Sequence, residues 1–414
     1  MKILVTLEDH LWRGTDGRFY VNGPAGYASW SQLLDAFDEV ILLARVSNGG
    51  SHSAEGIPVE GMSVSVRELS DYVGPSQYLL NLPGLRSMTR RAVVECDAFI
   101  LRVPGLIGRL VWQELRRTRR RYAVEVLGDP WDALGPGTMP GLFRPGYRQL
   151  ATRDMKKICR GAVAALYWNA SALPRRYPTG KGCYSVVSPS LIVSNGYASG
   201  ELVVKRSRHI DELNFSTTRG IPKSVCMGFV GSFAQLYKGP DTLLRAASLC
   251  SRTSLDFKVH FVGEGRYRPR MELLANQLSI WDKVKFLGQL RFGSAIFDFL
   301  DSIDLFVMPS RAEGLPRAML EAMARGCPCI GSNVGGIPEL LAADDLVPPN
   351  DPEALARKIM EVTDDPDRMK AMSARNLSRT KEFDPEVLRN MRLAFYKYVK
   401  DHSGNPVKSG SRDK

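Results

Sequence analysis

A chain of 414 residues, 44% apolar and 24% charged, has enough hydrophobic material for folded cores and is too long for one ordinary domain, so two domains are expected. No stretch of about 18 uninterrupted apolar residues occurs, and Met1-Lys2-Ile3-Leu4-Val5 opens on a strand-like run rather than a signal segment. The expectation is a cytoplasmic protein that does not span a membrane, with a formal charge of +12 that asks for an anionic partner or surface.

Strand-like runs recur along the first half, at 2–7, 39–46, 58–66, 98–103, 122–127, 162–168 and 186–193. Helical periodicity falls between them at 28–37, 106–120 and 147–159. That alternation predicts a parallel, doubly wound sheet. A polar stretch at 199–223 reads as a connector. The alternation then restarts with strands at 225–231, 257–263, 284–287, 305–308 and 328–332, each followed by a helix. Pro352, Pro366 and Pro385 each open a further helix at its first turn. The fold class is therefore α/β, with two Rossmann-like domains at 1–205 and 206–385, a final helix at 386–401, and a polar tail at 402–414 that reads as disordered.

Seven cysteines, odd in number and scattered, include Cys327-Pro328-Cys329, whose spacing suits neither a zinc knuckle nor a redox pair. They read as reduced core thiols. The five histidines form no metal-ligand spacing either. Asp365-Pro366-Asp367 precedes a helix rather than closing a strand, which is the place of a cap. No metal and no cofactor are expected.

The chemistry-bearing stretch is Glu313-Gly314-Leu315-Pro316-Arg317-Ala318-Met319-Leu320-Glu321, which follows the apolar run 305–308 and the pair Pro309-Ser310. It places one carboxylate after a strand and another two turns into a helix, with Gly and Pro at the helix mouth. A helix start exposes unpaired N–H groups and the positive end of the macrodipole, a seat for phosphate, while flanking carboxylates accept hydrogen bonds from hydroxyls. A sugar nucleotide suits such a site. The plain alternative is a Glu meeting a helix dipole and a second Glu on an amphipathic helix. After the strand at 225–231, Gly231-Ser232 and Lys238-Gly239 offer a point charge and close backbone approach for a diphosphate, or form an ordinary turn.

These residues resemble the retaining glycosyltransferases of family 4 (glycosyl transferases group 1), whose signature is Glu, seven intervening residues, Glu. The likeness extends into "EAMARGCPCIGSNVGGIPELL", and upstream to "FVGSFAQLYKGPDTLLRA", "FKVHFVGEGRYRPRMELLA" and "DKVKFLGQL", in order, so it covers the second half. It implies the GT-B fold: two Rossmann-like domains facing a cleft, the last helix returning to the first. It also implies that Glu313 holds the transferred sugar and Glu321 the ribose. Lys238, Gly231, Ser232 and the backbone of Gly314, Leu315, Pro316 and Arg317 would hold the diphosphate.

The chain departs from the family in three places. An Arg commonly stands where Ser232 is. The usual Gly-Gly after the first strand has as counterpart Asn22-Gly23-Pro24-Ala25-Gly26, where Gly23 or Gly26 serves the acceptor or phosphate side, or is a turn residue. The frequent His is replaced by Gly128-Asp129-Pro130-Trp131, where Asp129 either contacts the acceptor or caps a turn.

The segment "GLIGRLVWQELRRTRRR" ends in Arg116, Arg117, Arg119, Arg120 and Arg121 beside apolar and Trp residues. Such a cluster suits an anionic membrane surface; nucleic acid or a solvated helix end are the alternatives. The expected function is metal-independent retaining transfer of a sugar from a nucleotide-sugar donor to a glycan hydroxyl. The acceptor is expected to be linked to a lipid such as polyprenyl diphosphate, in surface polysaccharide or glycoconjugate biosynthesis, with the protein peripheral on the cytoplasmic membrane face. A GT-B-like epimerase or phosphorylase would share the architecture. A basic nucleic-acid-binding protein is the non-enzyme alternative, disfavoured because no interleaved aromatic platform or RNA motif is present, so no nucleic acid is expected. A dehydrogenase is disfavoured because neither half opens on Gly-x-Gly-x-x-Gly.

Overall fold

The computed structural model describes residues 1–22, 25–47, 56–135, 144–188, 200–218, 224–291 and 293–403. The first sheet contains β1 (Lys2–Arg13), β2 (Phe19–Val21), β3 (Glu39–Ser47), β4 (Ile57–Pro58), β5 (Val64–Ser70), β6 (Ala98–Val103), β7 (Ala123–Val126), β8 (Ala164–Tyr167) and β9 (Tyr184–Val187). Seven of these run parallel in the order β5-β3-β1-β6-β7-β8-β9. Their central members are continuous apolar runs because both faces of a parallel sheet are covered. β1 runs past its expected end: its register shifts between Leu7 and His10, and its extension pairs antiparallel with β2.

The single strand expected at 58–66 is two, because the chain turns at Gly61 and at Ser63, whose φ is 58°. The expected helix at 28–37 is one α-helical turn, Tyr27–Trp30, followed by a 3-10 segment, Ser31–Asp35. The expected strand at 186–193 ends at Val187, and 189–193 lie outside the described residues.

The second sheet contains β10 (Val225–Val230), β11 (Phe257–Val262), β12 (Val284–Gly288), β13 (Leu305–Met308), β14 (Cys329–Ser332) and β15 (Leu346–Val347). All are parallel, in the order β12-β11-β10-β13-β14-β15. This is the order of a Rossmann sheet, and it reverses direction between β10 and β13, where a crevice opens at the carboxyl ends of the strands.

The polar stretch expected to connect the halves is helical from Gly200 to Thr218. Its Arg206 donates to the carbonyls of Leu300, Ile303 and Arg325, and His209 meets Asp304, so this helix is fastened to the second sheet's side. The expected boundary at 205/206 falls inside it. The last helix, Pro385–Ser403, crosses back to the first domain, burying Phe395, Tyr396 and Val399 with β1 and β3 residues and stacking Tyr398 on Tyr184. Its Arg392 reaches Glu125 on β7 at 3.1 Å. This helix includes His402 and Ser403 of the expected tail, and 404–414 lie outside the described residues. All seven cysteines are free thiols, as the sequence suggested.

Candidate active site

The site is built where the two central loops of the second sheet meet. Gly239 has a φ of 71°, and a Cβ there would lie 2.1 Å from the carbonyl oxygen of Pro309. Only glycine permits that approach, which draws the loop after β10 over the end of β13. Lys238 consequently reaches Glu313, its Nζ donating to Oε1 at 2.7 Å; Ser310 Oγ donates to the same oxygen at 2.7 Å. Glu313 is buried. From the other side, Gly335 has a φ of 54°, its absent Cβ would sit 2.0 Å from the Glu313 carbonyl oxygen, and Gly336 N donates to Gly314 O at 2.7 Å. Arg311 is held by both oxygens of Asp241 at 2.8 Å. The Glu313 backbone is thus fixed on two sides before any ligand arrives.

Burial by itself would lower the Lys238 pKa, but the Glu313 carboxylate at hydrogen-bond distance outweighs it and holds the ammonium above its ordinary value. Lys238 is therefore a cation throughout the neutral range.

The helix Arg317–Ala324 starts after Pro316, whose capping position receives no side-chain hydrogen bond. A helix start of this kind presents backbone N–H groups and the positive end of the helix dipole, which favour an anion. Leu315 and Pro316 are buried, so neither side chain is offered to a ligand. Glu321 is 5% exposed; its Oε1 accepts from Arg317 Nε at 2.8 Å. Burial raises the Glu321 pKa, with Arg317 opposing.

Gly231 and Ser232 follow β10 at the crevice. Ser232 Oγ accepts from Ala234 N at 3.1 Å, a local turn, and is exposed. The adjoining loop after β11 brings Arg266 to this turn, its Nε donating to Ala234 O at 3.0 Å while the residue stays exposed. Sequence reasoning missed it, since Ser232 and Arg266 are brought together only by the β10–β11 pairing.

The first domain closes the other wall. A Cβ on Gly314 would lie 2.2 Å from Leu127 O, directly after β7. Asn169 Nδ2 donates to Gly314 O at 3.2 Å, and its Oδ1 accepts from Leu173 N at 2.8 Å. The Glu339 carboxylate accepts from Ala170 N, Ser171 N and Ser171 Oγ. The two domains meet at Gly314, which the sequence singled out, through first-domain residues that it did not.

Other expectations for the first domain resolve differently. Asp129 takes the capping alternative: it accepts from Trp131 N at 2.8 Å and from Tyr177 OH, and pairs with Arg176, so its carboxylate is already engaged. Gly26 is buried, and a Cβ there would meet Ile57 at 2.3 Å, which accounts for it by packing. Gly23 lies outside the described residues. Of the five arginines expected at a membrane surface, Arg120 is turned inward, donating to Val93 O at 2.7 Å and Cys96 O at 2.6 Å and covering the Phe99 ring. Arg117 pairs with Glu114, Arg116 lies over Trp112, Arg119 is exposed and Arg121 is half-buried.

Two doubly wound domains facing each other across this loop, with the last helix crossing back, define a GT-B glycosyltransferase fold. The chain is similar to Anabaena Alr3699/HepE in complex with UDP and glucose, with a TM-score of 0.64 at 18% identity over 95% of this chain and 98% of that one. Residues 217–379, within the second domain and its flanking helix, match the family of glycosyl transferases group 1. Among curated relatives, CapJ of Staphylococcus aureus is 23% identical over 80% of this chain and 78% of its own length. A GDP-mannose-dependent monoacylated alpha-(1-6)-phosphatidylinositol monomannoside mannosyltransferase of Corynebacterium glutamicum is 36% identical over 33% of this chain; the match spans 38% of that protein.

Proposed function

We propose that the protein is a retaining glycosyltransferase that moves a sugar from a nucleotide-sugar donor to a glycan hydroxyl, in surface polysaccharide or glycoconjugate biosynthesis. The observation that carries this reading is the Lys238–Glu313 pair at the mouth of the Arg317–Ala324 helix, at the switch point of the second sheet. A diphosphate placed there meets a fixed ammonium and the positive end of a helix, and the sugar attached to it lies against Glu313. The similarity to a protein held with UDP and glucose supports a sugar nucleotide. The relative named for a phosphatidylinositol monomannoside supports a lipid-linked acceptor, and reaching such an acceptor places the protein, in this reading, at the cytoplasmic membrane face.

In the reaction the bond from the anomeric carbon to the diphosphate oxygen breaks, leaving positive charge on the sugar and negative charge on the phosphate. Glu313 orients the sugar hydroxyls and faces the positive charge; Lys238 and the helix mouth face the negative one. The acceptor oxygen bonds to the anomeric carbon on the same face, and its proton passes to the departing phosphate oxygen. No protein base and no metal is assigned a step.

Arg266 supplies the second cation that Ser232 lacks. Arg266→Ala is expected to raise the donor KM about tenfold with kcat retained, because an exposed contact to the diphosphate is made in both ground and transition states. An unchanged KM would remove Arg266 from the site.

A thermal-shift screen of nucleoside diphosphates and their sugars, followed by NMR of donor turnover, tests the reading. The expected result is stabilisation by one nucleotide series and a first-formed product with the donor's anomeric configuration. Stabilisation by none, or conversion of the donor to an epimer, would overturn it.

A further inference from the structure

Helices Gly74–Glu95, Leu106–Thr118 and Arg144–Arg160 share one hydrophobic core and cover a single face of the first sheet. Residues 74–95, 106–121 and 144–160 carry fifteen Arg or Lys against three carboxylates, which equals the net +12 of the whole chain. Everything else is charge-balanced, so the excess lies in these three segments, and of their cations Arg120 is turned inward to backbone carbonyls of the core. Its three carboxylates are occupied: Glu95 by Arg67 at 2.9 Å, Glu114 by Arg117 and Asp154 by Arg109, both at 2.5 Å.

The outward row of the first helix carries large apolar side chains at both ends and cations between them. Leu79 is 64% exposed, Leu80 81% and Val94 80%, with Arg86, Arg90 and Arg91 between them. The third helix sets exposed Leu150 beside Arg153, Lys156, Lys157 and Arg160. Where the second and third helices end, Trp112, Leu115 and Tyr122 floor a depression of about 750 Å³ rimmed by Arg116, Arg119, Lys157 and Arg160. Among the described residues no helix is long and apolar enough to cross a membrane.

We propose that this three-helix face docks on an anionic lipid bilayer, its arginines and lysines among the headgroups and Leu79 and Leu80 entering the acyl boundary. Cations alone would serve any polyanion, but solvent-exposed leucines beside them fit an interface with an apolar interior. Each helix begins at the carboxyl ends of the strands, where the cleft lies, and Leu79 and Leu80 occupy the second turn. Docking therefore brings the cleft mouth to the membrane. The proposal rests on the glycosyltransferase reading only for its purpose, access to a lipid-linked acceptor. It also widens the surface expected from the Arg116–Arg121 cluster, from which Arg120 is lost to the interior.

The test is co-sedimentation of the full chain with phosphatidylcholine vesicles and with vesicles that also contain phosphatidylglycerol. The protein is expected to partition onto the anionic vesicles alone, and salt to release most of it. Arg153→Glu with Lys157→Glu and Arg160→Glu should lower partitioning on the order of 10²-fold, and Leu79→Ser with Leu80→Ser about tenfold. A milder pair, Arg86→Gln with Arg91→Gln, keeps the test open should the charge reversals fail to fold. Donor hydrolysis without vesicles is read in parallel: vesicle binding without hydrolysis would sink the enzyme reading and leave docking standing. Equal binding to neutral vesicles, parental binding by the folded variants, or binding to DNA or heparin with none to vesicles would overturn the proposal.

Discussion

Glu313→Gln is expected to lower kcat about 10²-fold or more while the protein still folds. The Glu313 carboxylate uses Oε1 for both Lys238 and Ser310, and a glutamine carbonyl can occupy that point, so the change removes charge rather than shape. If Glu313 opposes the positive charge that develops on the sugar, its loss is felt in the transition state and appears in kcat. Lys238 would lose its counter-charge, which costs about 1–2 kcal/mol of stability, below the range for a fully buried pair because Lys238 keeps some exposure. A Glu that merely meets the helix dipole would cost at most about 1 kcal/mol and leave catalysis alone.

Glu321→Gln is the contrast, expected to raise the donor KM with kcat nearly retained, since a ribose contact is about as strong before as during the reaction. Its pH dependence follows from burial. A carboxyl whose folded pKa is raised favours the fold while protonated and penalises it as pH rises through the raised value. The glutamine variant should accordingly melt higher than the parent at neutral pH, a gain that vanishes towards about pH 4. Kinetics beside melting curves decide both; full activity in Glu313→Gln would refute its role.

The sheets were legible because buried parallel strands are uninterrupted apolar runs, and 98–103 and 305–308 coincide with β6 and β13. The helix Gly74–Glu95 was not, because Pro83 and Gly84 inside it speak against helix locally while its buried row from Tyr78 to Val93 holds it by packing. The helix at 200–218 hid for the opposite reason: its face is polar, and Arg206 is anchored by carbonyls about a hundred residues away.

The same limit applies to the site. Glu313 and Glu321 stand out because both belong to one helix mouth. The charged donor that fixes Glu313, Lys238, comes from a loop 75 residues earlier, and Glu339 clamps a turn 168 residues before it. Sequence spacing carries no trace of such pairs, which follow from strand order. Arg120 shows the converse: five arginines in a row of six look alike as letters, and only the backbone carbonyls at the end of a neighbouring helix distinguish the one that is internal.

Lys238→Met should reduce kcat/KM by about 10²- to 10³-fold, through loss of a charge that faces the departing diphosphate. A structural account competes with this, in which Lys238 exists to neutralise the buried Glu313. The two diverge in the double variant. If the lysine only balances the carboxylate, Lys238→Met with Glu313→Gln removes both charges together and should recover parental activity and stability. If each group meets its own end of the donor, the double variant should recover stability while remaining as inactive as the worse single change, since residues acting on one transition state are not additive. The pH profile adds an independent check. Because Lys238 is held above its ordinary pKa by Glu313, the stability it contributes is present below about pH 10 and is lost only as pH rises beyond that, so no limb of the activity profile between about pH 6 and 9 should disappear in Lys238→Met. Parental turnover in the double variant would reduce the pair to a packing device and remove the central observation from the proposed function.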